Sequence, residues 1–232
     1  MATRSRTESE PTSTVEQYIK IIYGRQERSS SDMVGMKELA DAMEVTPGTA
    51  TAMVKHLNES GLVNYTPRKG VSLTAKGKRL ALTMLRRHRL IETFLEQVLG
   101  YDWSEVHEDA EALEHAVSDR FVERIDAYLG RPQVDPHGDP IPNASGKIEI
   151  QPAVPLNSCE AGDHIVVTRL GDEDPAFLFL MKENMLTPGE AFLVTEINQT
   201  AGTLSVRHTP SNKSLTLGIG AGARILVSLQ GS

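Results

Sequence analysis

The chain has 232 residues, 39% of them hydrophobic, and 31 acidic side chains against 24 basic ones give a formal charge of −7. That apolar content suffices for more than one small core, and no run approaches the roughly 20 apolar residues that cross a bilayer. The N-terminal stretch MATRSRTESEPTST lacks the apolar segment of a secretory leader, and a single cysteine, Cys159, cannot form an internal disulfide, so a cytoplasmic protein is expected.

Residues 1–13 carry Ser, Thr, Pro and Glu without periodicity and are expected to form a disordered arm. A helix capped near Thr14 follows, with Val15, Tyr18, Ile19 and Ile22 as its buried stripe. Met36–Met43 has helical spacing, with Leu39, Ala40 and Met43 on one face. In VTPGTATAMVKHLNESG, Thr46 is an N-cap, Pro47 the first helical residue and Gly61 the stop signal, with Ala50, Met53, Val54 and Leu57 facing inward. LVNYTPRKGVSLT then reads as two short strands around the basic turn Pro67-Arg68-Lys69-Gly70. Three helices and a hairpin over residues 14–77 make a winged helix-turn-helix. That architecture puts the start of its third helix in the major groove and its wing along the phosphates. Thr46, Pro47, Thr49 and Thr51 are then the candidates to face DNA, Arg68 and Lys69 the candidates to hold phosphate, and His56 either touches DNA or is solvated. The alternative is a trihelical packing module with a solvated charged face.

Charge is segregated along the chain. From Thr46 to Leu90 nine basic residues (Lys55, Arg68, Lys69, Lys76, Lys78, Arg79, Arg86, Arg87, Arg89) stand against Glu59 alone. From Ile91 to Ala144 thirteen acids stand against Arg120, Arg124 and Arg131. The first block suits an anion such as DNA and the second a cation. The Arg86-Arg87 pair either holds phosphates or offsets the acids that follow.

Ala75–Leu99 is one long helical pattern, and Ser104–Leu129 is a further helix with a break near Ser118. The second carries more apolar positions (Val106, Ala110, Leu113, Val117, Phe121, Ile125) than one packed side needs, which predicts dimerisation within a helical domain over residues 78–142. Trp103 is expected to pack between helices. From Gly130 the texture turns to Pro, Gly and Asp, and residues 143–160 read as a linker. Five short alternating segments follow, His164–Leu170, Ala191–Ile197, Thr203–His208, Ser214–Leu217 and Ala223–Leu229, which predict a small β-barrel over residues 161–232. The fold class is thus mainly α with a β C-terminal domain.

His107, Glu111, Glu114 and His115 fall at i, i+4, i+7 and i+8 and share one helix face, and His88 and Glu92 repeat the i, i+4 spacing on the preceding helix. Imidazole nitrogen with carboxylate oxygen suits divalent iron, manganese, cobalt, nickel or zinc, and like charges on one helix face need a cation or buried partners to offset them. A single His-x3-Glu pair is ordinarily a wet surface; several such groups on consecutive helices predict a regulatory metal site. The competing class is a metal-dependent hydrolase, for which the sequence offers no Ser-His-Asp order, P-loop or His-Glu-x-x-His signature. Cys159 reads as a small packed residue.

The segments RRHRLIETFL, VHEDAEALEHAVSD and DPHGDPIP closely resemble the diphtheria toxin repressor/manganese transport regulator family, over Val15 to about Pro142. The resemblance implies a winged-helix domain, a dimerisation and metal-binding domain and a C-terminal SH3-like barrel. It implies a homodimeric repressor of metal-homeostasis genes that binds a palindromic operator in double-stranded DNA. It also implies a primary metal site from Glu111, Glu114 and His115 with Gln17 of the first helix, and an ancillary site from His88, Glu92 and His107. Asp135 and His137 are further candidates from the linker, and Glu173 or Asp174 from the barrel. Gln17, a neutral oxygen donor, departs from the methionine of iron-responsive members and the aspartate of manganese-responsive ones. Glu111 stands where iron-type members have cysteine, and this harder oxygen set favours Mn²⁺, with Fe²⁺ as the alternative.

Overall fold

The computed structural model describes residues 12–29, 31–171 and 174–230 and separates into two compact units, Met1–Leu85 and Arg86–Ser232. Residues 1–11 of the expected arm lie outside the described residues, but Thr12 and Ser13 are already structured. Thr12 caps α1 (Ser13–Arg28), accepting from the Val15 amide, while its carbonyl accepts from Glu16. The cap therefore falls two residues before Thr14, where a hydroxyl and a carbonyl both reach the orphan amides of the first turn.

In the first unit α1 buries Val15, Tyr18, Ile19 and Ile22, α2 (Met36–Ala42) buries Leu39 and Ala40, and α3 (Pro47–Glu59) buries Ala50, Val54 and Leu57. Thr46 caps α3 through the Thr49 amide, with Pro47 behind it, where a missing N–H costs nothing. The chain then forms the hairpin β1 (Val63–Thr66) and β2 (Gly70–Leu73), and Val34 bridges Val71 on the outside of β2. Gly70 is required there: its φ is +128°, and a Cβ would lie 2.2 Å from the Val34 carbonyl oxygen.

Helix α4 (Ala75–Leu99) begins in the first unit and ends in the second, which adds α5 (Val106–Glu114) and α6 (Asp119–Tyr128), the latter capped by Ser118 at the expected break. Leu90, Ile91, Leu95, Val106, Ala110, Val122, Ile125 and Ile141 form one buried cluster. The apolar surplus survives on the outside, where Leu113, Phe121 and Tyr128 stay exposed.

The rest of the second unit is a six-stranded antiparallel sheet in the order β3-β8-β4-β5-β6-β7. Its strands are β3 (Val154–Pro155), β4 (His164–Leu170), β5 (Ala191–Asn198), β6 (Thr203–His208), β7 (Ser214–Gly218) and β8 (Ile225–Leu229), with bulges at Val167/Arg169 and Val194/Glu196 that bend it. Two helices, α7 (Pro175–Glu183) and α8 (Ile219–Gly222), were not anticipated. Leu156 and Cys159, placed in a linker by the sequence reading, are buried in this core, because the short β3 pairs with β8 and turns the chain inward. Trp103 differs as well: it leaves the helices and joins the core of the β domain.

Candidate metal centre and DNA-reading face

The carboxylates and histidines of the acidic block meet inside the second unit. His88 and Glu92, one turn apart on α4, are buried together with Glu114 of α5, which is 0% exposed. His88 lies at the centre. Its Nδ1 donates to Glu114 Oε2 at 2.6 Å, and its Nε2 lies 3.0 Å from Glu92 Oε1 and 3.1 Å from His107 Nδ1. His107 Nδ1 also reaches Glu92 Oε1 at 3.2 Å. Glu111 Oε2 stands 3.9 Å from His88 Nδ1, and His115 Nε2 lies 3.6 Å from the other oxygen of Glu114.

A second approach to Glu92 comes from the turn after α6. Asp135 and His137 are both buried, and with Glu92 they place three ligand atoms within 4.8 Å of one another. His88-Glu92-His107 and His88-Glu111-Glu114 satisfy the same spacing. The helical spacing left one or two sites open and the resemblance implied a primary and an ancillary one; His88 contacts members of both sets. A neutral imidazole has one lone pair, so His88 can serve a cation on only one of its two sides. Asp174 caps α7 through the Ala176 amide, and Glu173 lies outside the described residues.

The electrostatics fit a cation. Burial alone would raise the Glu92 carboxyl, but the charge of His88, hydrogen bonds from His107 and His88 and the charge of His137 outweigh it and hold the group well below the usual carboxylate range. Asp135 goes the other way: burial first, then the charges of Asp139 and Glu92, push its carboxyl well above the usual value despite Arg89. Two buried carboxylates in one pocket thus resist being charged together, which a divalent ion would relieve. Nitrogen and carboxylate donors of this kind suit Mn²⁺ or Fe²⁺. In the first unit Gln17 lies on α1, and its Oε1 is buried without a hydrogen-bond partner, an available oxygen donor.

The nucleic-acid candidates line the exposed start of α3 and the hairpin tip. Thr46 and Thr49 are exposed and their hydroxyls lie 2.9 Å apart, while Thr51 Oγ1 donates back to the Pro47 carbonyl at 2.7 Å. Arg68, at φ +67°, and Lys69 are exposed at the wing tip. The basic block is smaller than the sequence count. Arg86 pairs with Glu123 and Asp126, Arg87 with Asp119, and Arg89 with Asp135 and Asp139. The Arg86-Arg87 pair therefore offsets acids rather than extending the DNA face. Arg89, which the sequence reading never singled out, had no local signal because its partners lie about 50 positions on.

A winged helix and a histidine-carboxylate cluster on one chain define a DNA-binding protein with a metal centre, and comparison places that class. Residues 11–71 match the family model "Iron dependent repressor, N-terminal DNA binding domain", and residues 74–143 match "Iron dependent repressor, metal binding and dimerisation domain". The chain belongs to the diphtheria toxin repressor/manganese transport regulator family.

Among its relatives, the transcriptional regulator MntR of Oceanobacillus iheyensis is 35% identical over 115 residues, 50% of this chain and 76% of that one. The iron-dependent repressor IdeR of Mycobacterium leprae is 32% identical over 129 residues, 56% of this chain and 55% of that protein. A solved structure of a manganese-dependent transcriptional repressor in complex with manganese has a TM-score of 0.85 and 43% identity, covering 93% of this chain and 100% of that one. Its fold, mainly α with a β C-terminal region, is the one expected from the sequence.

Proposed function

We propose that the chain is a metal-dependent transcriptional repressor of metal-homeostasis genes, manganese-responsive with iron as the alternative, acting as a homodimer on a palindromic operator. The observation that carries this reading is the His88-centred cluster, buried and rich in carboxylate, on the same chain as an exposed helix start and basic wing. Both family matches and the manganese-bound structural relative support it. No described helix is long and apolar enough to cross a membrane, which fits action in the cytoplasm.

Residues 14–77 are assigned to reading DNA, residues 78–142 to dimerisation and metal binding, and the β domain to support of the linker turn. Glu111, Glu114, His115, His88, Glu92, His107, Asp135 and His137, with Gln17 as an oxygen donor, are the residues that would hold metal. A bound divalent ion supplies the positive charge that Glu92, Glu114 and Asp135 together lack. Without it His88 holds Glu114 and Glu92 together, and the cluster's own hydrogen bonds satisfy groups that a ligand state would redirect. Thr46, Pro47, Thr49 and Thr51 meet base edges, and Arg68 and Lys69 meet phosphates. His88, Glu92 and Glu114 are buried and the members of the cluster are engaged with one another, which supports sensing over turnover, so the chain is not an enzyme in this reading.

The experiment is selection from random duplexes at fixed salt, with metal-free protein and with Mn²⁺, Fe²⁺ or Zn²⁺ under reducing conditions. A palindrome enriched only with metal supports the proposal and ranks the ions. No enrichment with any ion overturns it.

A further inference from the structure

Arg89 follows His88 on α4, yet its side chain turns to the segment after α6 and lies largely buried there. Nη1 donates to the Pro140 carbonyl at 2.6 Å, Nη2 donates to Asp139 Oδ1 at 3.0 Å, and Nε lies 3.5 Å from Asp135 Oδ2. The segment it grips is a tight turn. Asp135 Oδ1 accepts from the His137 and Asp139 amides, both at 2.9 Å, and Val134 bridges Pro140. Arg169 of β4 reaches the same Asp139 oxygen at 3.5 Å. The outcome of this geometry is that His137 stands beside Glu92 while its Nε2 donates to the Trp103 carbonyl at 2.7 Å and its ring lies 5.3 Å from the indole.

We propose that Arg89 is a positioning residue for the metal centre: without touching an ion, it fixes the turn that carries Asp135 and His137 to Glu92. The inference rests on the metal-sensing reading above. A planar guanidinium with donors fixed in a fork sets the position of a carbonyl and two carboxylates together, which the single ammonium of a lysine cannot do. Partners of this kind, outside the ligand set, commonly govern affinity by about 10- to 100-fold.

The test compares the full chain with Arg89→Gln and Arg89→Lys. Hydrogen exchange is followed at the His137 and Asp139 amides without metal, and quenching of Trp103, the only tryptophan, is followed during titration with Co²⁺. Arg89→Gln is expected to speed exchange at those amides at least about tenfold while α4 and α6 stay protected, and to move the quenching midpoint to about tenfold higher Co²⁺ or beyond. Arg89→Lys is expected to recover only part of both. Unchanged exchange in Arg89→Gln overturns the positioning role whatever the metal does. Faster exchange with an unmoved midpoint overturns the link from the turn to the ion. A wild-type protein that never responds to Co²⁺, with exchange still faster in the variant, locates the failure in the metal-sensing reading instead.

Discussion

At the scale of single residues, His88 decides how the centre behaves, because both of its nitrogens are committed to carboxylates on different elements. Removing its partner on α5 together with the neighbouring imidazole should separate folding from sensing. A Glu114→Ala, His115→Ala double variant should remain folded, at a cost of about 1–3 kcal/mol for the lost His88–Glu114 hydrogen bond, and should lose the gain in operator affinity that metal brings. Fluorescence anisotropy with and without Mn²⁺ measures this, and an unchanged gain rules out the assignment.

Asp102 offers a separate reading of charge outside the centre. A hydrogen bond from Lys182, followed by the Ser104 hydroxyl and amide, lowers its carboxyl to about 2 from an ordinary value of 3.8. The folded value lies below the unfolded one, so this contribution is fully present above about pH 4 and is lost as pH falls toward 2. Because the pair is partly solvent-exposed, it contributes no more than about 1 kcal/mol. Asp102→Asn should lower stability at pH 7 by that order and match wild type near pH 2, as thermal melts across the range would show.

At the scale of elements, the wing depends on one backbone position. Gly70→Ala places a methyl group against the Val34 carbonyl at a positive φ, and should destabilise the first unit by about 2 kcal/mol or more, seen as a lower unfolding midpoint. The elements legible in the sequence were those with their own punctuation: Thr46 and Pro47 opened α3, Ser118 opened α6, and alternation marked β4 through β8. Helix α7 escaped because AFLFLM is a continuous apolar run, which periodicity cannot assign to helix or strand. The signal that would have found it is Asp174-Pro175, the N-cap and first helical residue. His88 and the seven candidate ligands of the acidic block were legible as residue types. Their joining through His88 was not, because helical spacing shows which residues share a face but not which face meets another.

At the scale of the whole molecule, the negative total charge conceals a reading face assembled from a few residues. With Arg86, Arg87 and Arg89 taken up by acids, operator binding should depend heavily on the wing. Arg68→Ala and Lys69→Ala should each lower the slope of log affinity against log salt by about 1 while affecting different duplexes alike. Dimerisation should depend on the apolar face left outside α5 and α6, where Phe121 is 47% exposed. Phe121→Glu is expected to yield monomers in sedimentation and to weaken palindrome binding by roughly tenfold or more as paired half-site contacts are lost.

The position of Trp103 changes what the covalent join at residues 143–153 means. An indole from the loop between α4 and α5 is a member of the β-domain core, Lys182 holds Asp102 beside it, and Gly138 presses so close to β4 that a Cβ would sit 2.0 Å from the Thr168 carbonyl oxygen. The peptide connection is therefore redundant with an interlock. A protease nick in the exposed stretch near Ile150 should leave two fragments that migrate together until denatured. Ending the chain at Pro142 should instead strand the indole without its pocket and yield a sticky, aggregation-prone remnant.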